Sequence, residues 1–209
     1  MARYKDGLNG PVKGKFGNTI ASSWRDINYF KSVSSKPTKK PTEKQKVLRT
    51  KFKAIHAFLG SVNDCVQLAF ISNPGRQTGR NAAHSYTSLH ACYETETGWE
   101  IDYSKVLISF GRLKPIAGAE AIVTESGITI RWDKRESNGE QMIIALVDTQ
   151  QENWVTSVAT VNRYTGEYTL NMSRMTTEFN FHVYIGTISR DRKNASNSLY
   201  LGKVQYPAP

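Results

Sequence analysis

The last 90 or so residues of the chain contain short β-type runs at nearly even spacing, and no other feature limits the possible folds as strongly. The runs are separated by turn signals such as Ser126-Gly127, Ser137-Asn138-Gly139 and Thr165-Gly166. They predict seven strands, over 119–124, 127–133, 141–148, 153–162, 166–172, 179–188 and 197–205. Seven such strands in about 90 residues favour an antiparallel β-sandwich, which we expect over residues 113–209.

Residues 1–112 combine strand, linker and helix patterns. Closely spaced glycines in residues 7–17, followed by loosely alternating apolar residues, predict one or two short strands. Pro37 and Pro41 then block regular structure in residues 34–41, which we expect to form an extended basic linker.

The clearest helix begins at Thr42, where Gln45 stands at the spacing of a capping box. Apolar residues then recur at alternating spacings of four and three, which predicts one long helix with a single apolar face: Leu48, Phe52, Ile55, Leu59, Val62, Val66 and Ala69. Asn73-Pro74-Gly75 ends this helix, and a second one follows over roughly 78–92. We expect the two to form a helical hairpin over 42–92 that buries facing apolar stripes.

These elements predict an α+β fold, in which N-terminal short strands and a helical hairpin precede an antiparallel β-sandwich. Gly111 to Gly118, with Pro115 between them, has the composition of a boundary, so we expect a region 1–112 and a domain 113–209. The strand pattern resembles that of fibronectin type III and immunoglobulin-like modules. Such sandwiches host many unrelated functions, so this resemblance implies an architecture and no activity.

The positive charge of the chain is concentrated near its N-terminus. Residues 1–60 hold 14 Lys and Arg against three Asp and Glu, a net charge of +11, whereas the other 149 residues sum to −1. Six cations form a predicted stripe, roughly 25 Å long, from the linker onto the first helix: Lys36, Lys39, Lys40, Lys46, Arg49 and Lys53. The last three follow i, i+3, i+7 spacing opposite the apolar face. Such a stripe favours a polyanionic partner, and among polyanions it favours nucleic acid.

Two other interpretations of the stripe stay open. In the first, the stripe is a solvated helix face that follows a flexible linker. In the second, it docks on an acidic protein surface, for example on the acidic residues 94–102 of another copy of the chain. The few aromatic residues near it, Tyr29, Phe30 and Phe52, argue against base stacking of the single-strand type. The apolar helix face also leaves a coiled-coil seam between copies open.

No group of residues commits the chain to catalysis, so we expect a protein that is not an enzyme. Gly10–Phe16 has the wrong spacing for a phosphate loop and lacks the Ser or Thr that binds Mg²⁺. His84, His90 and Cys92 point apart on a helix, and we expect no metal site and no cofactor. Acid–base chemistry by the carboxylates of residues 94–102 is the weakest of the alternatives.

Cysteine usage and hydropathy indicate a cytosolic protein. Cys65 and Cys92 do not make a disulfide framework and are typical of reduced thiols, with a single bridge as the alternative. The longest apolar run, 142–147, has six residues, whereas a spanning helix needs about 20. We therefore expect no signal peptide, no membrane span, and a location in the cytoplasm or in a particle assembled there.

Residues spread over the whole chain resemble those of one protein family. They are the glycine-rich start, Ser22-Ser23-Trp24-Arg25, Pro41–Gln45, Arg49-x-Lys51-Phe52, Ile101–Val106 and Leu199–Gly202. On these residues the chain resembles an uncharacterised family of Bacteroidota proteins about 200 residues long, a domain of unknown function. The resemblance implies an architecture and supplies no catalytic or binding residues.

The sequence as a whole predicts a non-enzymatic structural or assembly protein whose basic N-terminal region contacts nucleic acid or another polyanion. By analogy, a protein of this kind could belong to a phage- or prophage-derived particle. The alternative is a protein–protein adaptor, in which the sandwich recognises a partner and the basic region docks on an acidic protein surface. Protein partners or self-assembly are expected in either case.

Overall fold

The computed structural model of the chain describes residues 2–4, 12–24, 27–35, 40–71, 77–96, 98–134, 139–148, 154–172 and 178–206. The chain forms two compact units, Met1–Thr42 and Glu43–Pro209. None of the helices in the described ranges has the length and hydropathy of a membrane-spanning segment.

The described residues of the first unit form a four-stranded antiparallel sheet. Its strands are β1 (Ala2–Tyr4), β2 (Gly14–Phe16), β3 (Thr19–Trp24) and β4 (Ile27–Ser32). Their order across the sheet is β1-β4-β3-β2. The sequence predicted one or two strands here, because alternation cannot reveal strands of three residues. Of the side chains described in this unit, only that of Ala21 is buried, with 3% exposure.

Three α-helices follow within the described residues: α1 (Glu43–Ser61), α2 (Asn63–Ala69) and α3 (Gly79–His90). The single long helix that was predicted is therefore wrong, because the backbone of Val62 leaves the helical region at φ −110° and ψ 19°. The second predicted helix is present as α3. Thr78 caps it, since its side chain accepts a hydrogen bond from the backbone N–H of Asn81 at 3.1 Å.

The predicted apolar face of α1 is buried only in its C-terminal half. Ile55 and Leu59 are fully buried, whereas Leu48 is 63% and Phe52 54% exposed. All described side chains from Thr42 to Thr50 are exposed, so the first turns of α1 have no core to pack against. The expectation that Leu48 and Phe52 belong to a buried stripe is therefore wrong.

A short hairpin connects the helices to the sandwich. It consists of β5 (Cys92–Thr95) and β6 (Gly98–Ile101), and a single 3-10 turn follows at Tyr103–Lys105. Cys92 opens β5 and therefore lies outside the helices. Cys92 and the buried Cys65 are both free thiols.

Among the described residues, seven strands build the C-terminal half of the second unit. They are β7 (Glu120–Thr124), β8 (Gly127–Arg131), β9 (Gln141–Asp148), β10 (Trp154–Asn162), β11 (Glu167–Asn171), β12 (Phe179–Ile188) and β13 (Leu199–Tyr206). They form two antiparallel sheets, in the orders β11-β8-β7 and β10-β9-β12-β13. The predicted α+β class is confirmed, and a common apolar core is consistent with the predicted sandwich. The closer likeness to fibronectin type III or immunoglobulin modules stays a prediction from pattern.

Strand β9 is buried on both of its faces. Met142, Ile144 and Leu146 lie in the core between the two sheets. The alternate residues, Ile143, Ala145 and Val147, lie in a second core with the side chains of α1, α2 and α3. The helices therefore form a third layer, packed on the sheet β10-β9-β12-β13. The predicted division between residues 112 and 113 falls inside one compact unit.

Candidate nucleic-acid interface

The first three turns of α1 present the helical part of the predicted cationic stripe. Lys46, Arg49 and Lys53 are all exposed. At 100° per residue their side chains fall within a sector of about 60°, on the side of the helix away from Leu48. The seven residue steps from Lys46 to Lys53 correspond to about 10 Å along the helix axis. These three cations therefore share one exposed face of α1.

One member of this face has a carboxylate partner. The Nζ atom of Lys46 lies 2.7 Å from Oε1 of Glu43, and both side chains are mostly exposed. Pairs of this kind contribute about 0.2–1 kcal/mol and are screened by salt. Within the described ranges, Arg49 and Lys53 make no ion pair. The cationic face thus has two uncompensated charges and one that Glu43 partly neutralises.

The linker lysine that the structure describes, Lys40, belongs to the first compact unit. Lys40 is exposed, whereas Lys36 and Lys39 lie outside the described residues. The continuous stripe of six cations over roughly 25 Å therefore stays a prediction.

The N-terminal sheet has a cationic and aromatic face that the sequence did not reveal. Lys15, Ile20 and Lys31 are register partners across β2, β3 and β4, so their side chains form one row on one face. Ser22 pairs with Tyr29 and Trp24 pairs with Ile27, which gives the next two rows on the same face. Lys15 and Lys31 are exposed, and Trp24 is 43% exposed. We call these residues the N-terminal sheet face: Lys15, Ile20, Ser22, Trp24, Ile27, Tyr29 and Lys31.

A second group of basic side chains lies where α1 packs on α3. The guanidinium of Arg80 donates to Oδ1 of Asn63 at 2.9 Å and to the carbonyl oxygen of His56 at 3.2 Å. The Nζ atom of Lys51 donates to the carbonyl oxygen of Ser88 at 2.9 Å. Both cations are thus used in holding the helices together.

The two histidines beside this group do not add to its charge near neutral pH. The rings of His56 and His84 lie 5.1 Å apart, and each contacts the ring of Phe52. Burial and the guanidinium of Arg80 lower the pKa of His56. Burial also lowers the pKa of His84, with a further lowering by the cationic groups around it. Neutral imidazoles fit the packing role that this cluster has in the fold.

The comparison with protein-family models identifies the family of the chain. The model described as "Family of unknown function (DUF6266)" matches residues 11–202. The chain belongs to this family. The resemblance to an uncharacterised family is thereby confirmed, while the Bacteroidota origin stays a prediction. No match to a curated protein was found.

Two of the four carboxylates of residues 94–102 that were weighed for acid–base chemistry, Glu100 and Asp102, have structural contacts in this DUF6266 member. Asp102 accepts hydrogen bonds from the backbone and side chain of Ser104 and lies 2.8 Å from Nζ of Lys105. These partners lower the pKa of Asp102. Glu100 accepts a hydrogen bond from the hydroxyl of Tyr93 at 3.2 Å. An ionised Asp102 that caps a 3-10 turn has the contacts of a structural residue.

The three residues that were weighed as metal ligands lie in the described part of this DUF6266 member. His84 and His90 lie on α3, and Cys92 opens β5. Among the described residues, no group of three His, Cys, Asp or Glu side chains is placed to hold a metal ion.

Proposed function

We propose that the protein is a non-enzymatic structural or assembly protein whose basic N-terminal region contacts nucleic acid. The observation that carries this proposal is the net charge of +11 in the first 60 residues. Two of the cations in this region, Arg49 and Lys53, are exposed and make no ion pair with the described residues. Lysine and arginine contacts to phosphates gain free energy from the release of condensed counterions. The other 149 residues have a net charge of −1, so the positive charge is confined to this part of the sequence.

The assembly part of the proposal is supported by the N-terminal sheet. Its described side chains bury only Ala21, while Phe16 is 53% and Trp24 43% exposed. Small sheets need an apolar face packed against another layer for independent stability. Contact with a partner molecule would supply such a layer. We propose the cytoplasm, or a particle assembled there, as the setting.

Replacing Arg49 and Lys53 together with glutamine is expected to weaken binding to a short labelled duplex and to reduce its salt dependence. Each phosphate contact contributes about 0.9 to the slope of log K against log salt concentration, so the slope should decrease in magnitude by about 1.8. Fluorescence anisotropy titrations across a range of NaCl concentrations measure both quantities.

The matched control is the double variant Arg190→Gln/Lys193→Gln. These two exposed cations follow β12, at three-residue spacing, and belong to the sandwich end of the second unit. We expect this variant to bind like the wild type. An unchanged slope in the Arg49/Lys53 variant would exclude the α1 face, and absence of any binding by the wild type would exclude the nucleic-acid proposal.

A protein–protein adaptor is the second candidate, and exposed aromatic side chains on the sandwich favour it. Trp154 is 51% and Tyr164 62% exposed. Rigid aromatic residues of this kind are enriched at protein interfaces. An adaptor should purify free of nucleic acid, whereas the first proposal predicts an elevated ratio of absorbance at the nucleic-acid maximum to that at the protein maximum.

A further inference from the structure

We propose that the N-terminal sheet face binds single-stranded nucleic acid. In this arrangement Trp24 and Tyr29 stack on successive bases, and Lys15 and Lys31 contact the phosphates beside them. The inference rests on the proposed function and adds to it the form of the nucleic acid and the surface that binds it. It departs from the expectation against base stacking because strand register, which the sequence did not reveal, places Trp24 and Tyr29 on one face.

The spacing of the two aromatic side chains fits this role. Ser22 is the register partner of Tyr29, and Trp24 follows Ser22 by two residues on the same strand. Trp24 and Tyr29 are therefore diagonal neighbours on one face, about 7–8 Å apart. An extended single strand separates its bases by a comparable distance, and aromatic side chains on a sheet are a recurrent platform for such bases.

The lysines lie at one end of this platform. Lys31 follows Tyr29 by two residues on β4, a separation of about 7 Å along the strand. Lys15 lies two strands away in the same row, with Ile20 between them, which places the backbones of Lys15 and Lys31 about 10 Å apart. A strand whose bases stack on Tyr29 and Trp24 would bring its phosphates to these two ammonium groups.

The two faces of the sheet differ in charge. The opposite face contains Phe16 and Thr19 in one row and Ala21 and Phe30 in another, and none of its described side chains is charged. Strands β1 to β4 contain no Asp or Glu, and residues 1–42 hold nine Lys and Arg against two acids. The cations and the partly exposed Trp24 therefore coincide on the same face, which complements a polyanion that has accessible ring faces.

The requirement for exposed base faces selects single strands over duplexes. In a duplex the bases stack on each other and present only their edges in the grooves. Stacking on Trp24 and Tyr29 therefore requires unpaired bases, while the cations of α1 need only phosphates. The two surfaces are expected to differ in their response to strandedness, and this difference can be measured.

The test compares binding of the full chain to a labelled oligothymidine and to a labelled duplex. Trp24→Leu and Tyr29→Leu should each weaken oligothymidine binding roughly tenfold and leave duplex binding within about twofold. Tyr29→Phe keeps the ring and should retain wild-type affinity. Phe16→Leu is the matched control, because it removes an exposed aromatic ring from the opposite face of the same sheet. The tryptophan fluorescence quenching that oligothymidine causes in the wild type should decrease in Trp24→Leu.

Lys15→Gln/Lys31→Gln provides a variant that does not depend on the packing of an aromatic ring. It should reduce the magnitude of the salt slope for oligothymidine by about 1.4, because each phosphate contact to a single strand contributes about 0.7. If the aromatic variants and this variant all bind oligothymidine like the wild type, the inference is overturned, and duplex binding through α1 would leave the proposed function standing. Equal losses in Phe16→Leu and Trp24→Leu, or a change only in oligomeric state, would also overturn it. If the wild type binds neither probe, both proposals fail together.

Discussion

Phe58→Ala is expected to lower the free energy of unfolding by about 3–5 kcal/mol, and to do so for the helices and the sandwich in one transition. Phe58 lies on α1, is fully buried, and contacts the ring of Tyr103 with centroids 5.8 Å apart. It belongs to the core that the helices share with β9 and β12. Truncating it removes apolar contacts from this shared core and leaves a cavity in it.

Phe52→Ala is the control for this prediction, since it makes the same change on the same helix at a site that is 54% exposed. It should cost less than about 1 kcal/mol. Urea unfolding is followed by far-UV circular dichroism for the helices and by tryptophan fluorescence, to which the buried Trp132 of the sandwich contributes. Two separate transitions, with only the helical one shifted in Phe58→Ala, would contradict the shared core and would favour a boundary near residues 112 and 113.

The strands of the sandwich were predictable because their signals are local. Each predicted strand has a counterpart whose ends differ by at most two residues. The signals are turns such as Ser126-Gly127 and Thr165-Gly166, where Gly166 adopts a left-handed conformation with φ 81°. Local chemistry of this kind does not depend on what the strands pack against.

The helical layer shows what periodicity cannot determine. Leu48 and Phe52 continue the apolar spacing of Ile55 and Leu59, yet only the second pair has a core to enter. The break at Val62 is also invisible, because the spacing continues through it. A one-dimensional pattern indicates which side of a helix is apolar and leaves open where the neighbouring layer ends.

The candidate interface was predictable in part for the same reason. The exposure of Arg49 and Lys53 followed from their position opposite the apolar residues, and the Lys46–Glu43 pair could have been read from its i, i+3 spacing. The N-terminal sheet face was missed because it depends on strand register. The available signal was that apolar and polar residues alternate both before and after residues 25 and 26. A hairpin at these two residues would align the two alternating segments as neighbouring strands.

Lowering the pH from about 6.5 to about 4 is expected to remove about 3 kcal/mol of stability through His182 alone. His182 is 7% exposed, stacks on Tyr103 with centroids 3.9 Å apart, and shares a hydrogen bond with the Tyr200 hydroxyl at 2.7 Å. Burial, assisted by Lys203 and opposed by Asp148, lowers the pKa of His182 from 6.5 to about 4. Between these values the unfolded chain binds a proton that the folded chain does not, so stability decreases as the pH falls.

His182→Phe should flatten this dependence, because phenylalanine keeps a ring against Tyr103 and cannot bind a proton. Urea unfolding at a series of pH values from neutral to about 4 measures the free energy of unfolding for both proteins. A smaller slope should remain in the variant, since the pKa values of His56 and His84 are lowered in the same direction. His90→Asn makes a comparable change at an exposed position and controls for the loss of a histidine. If His182→Phe loses as much stability on acidification as the wild type, then His182 accepts a proton in the folded protein, and its environment is more polar than its contacts indicate.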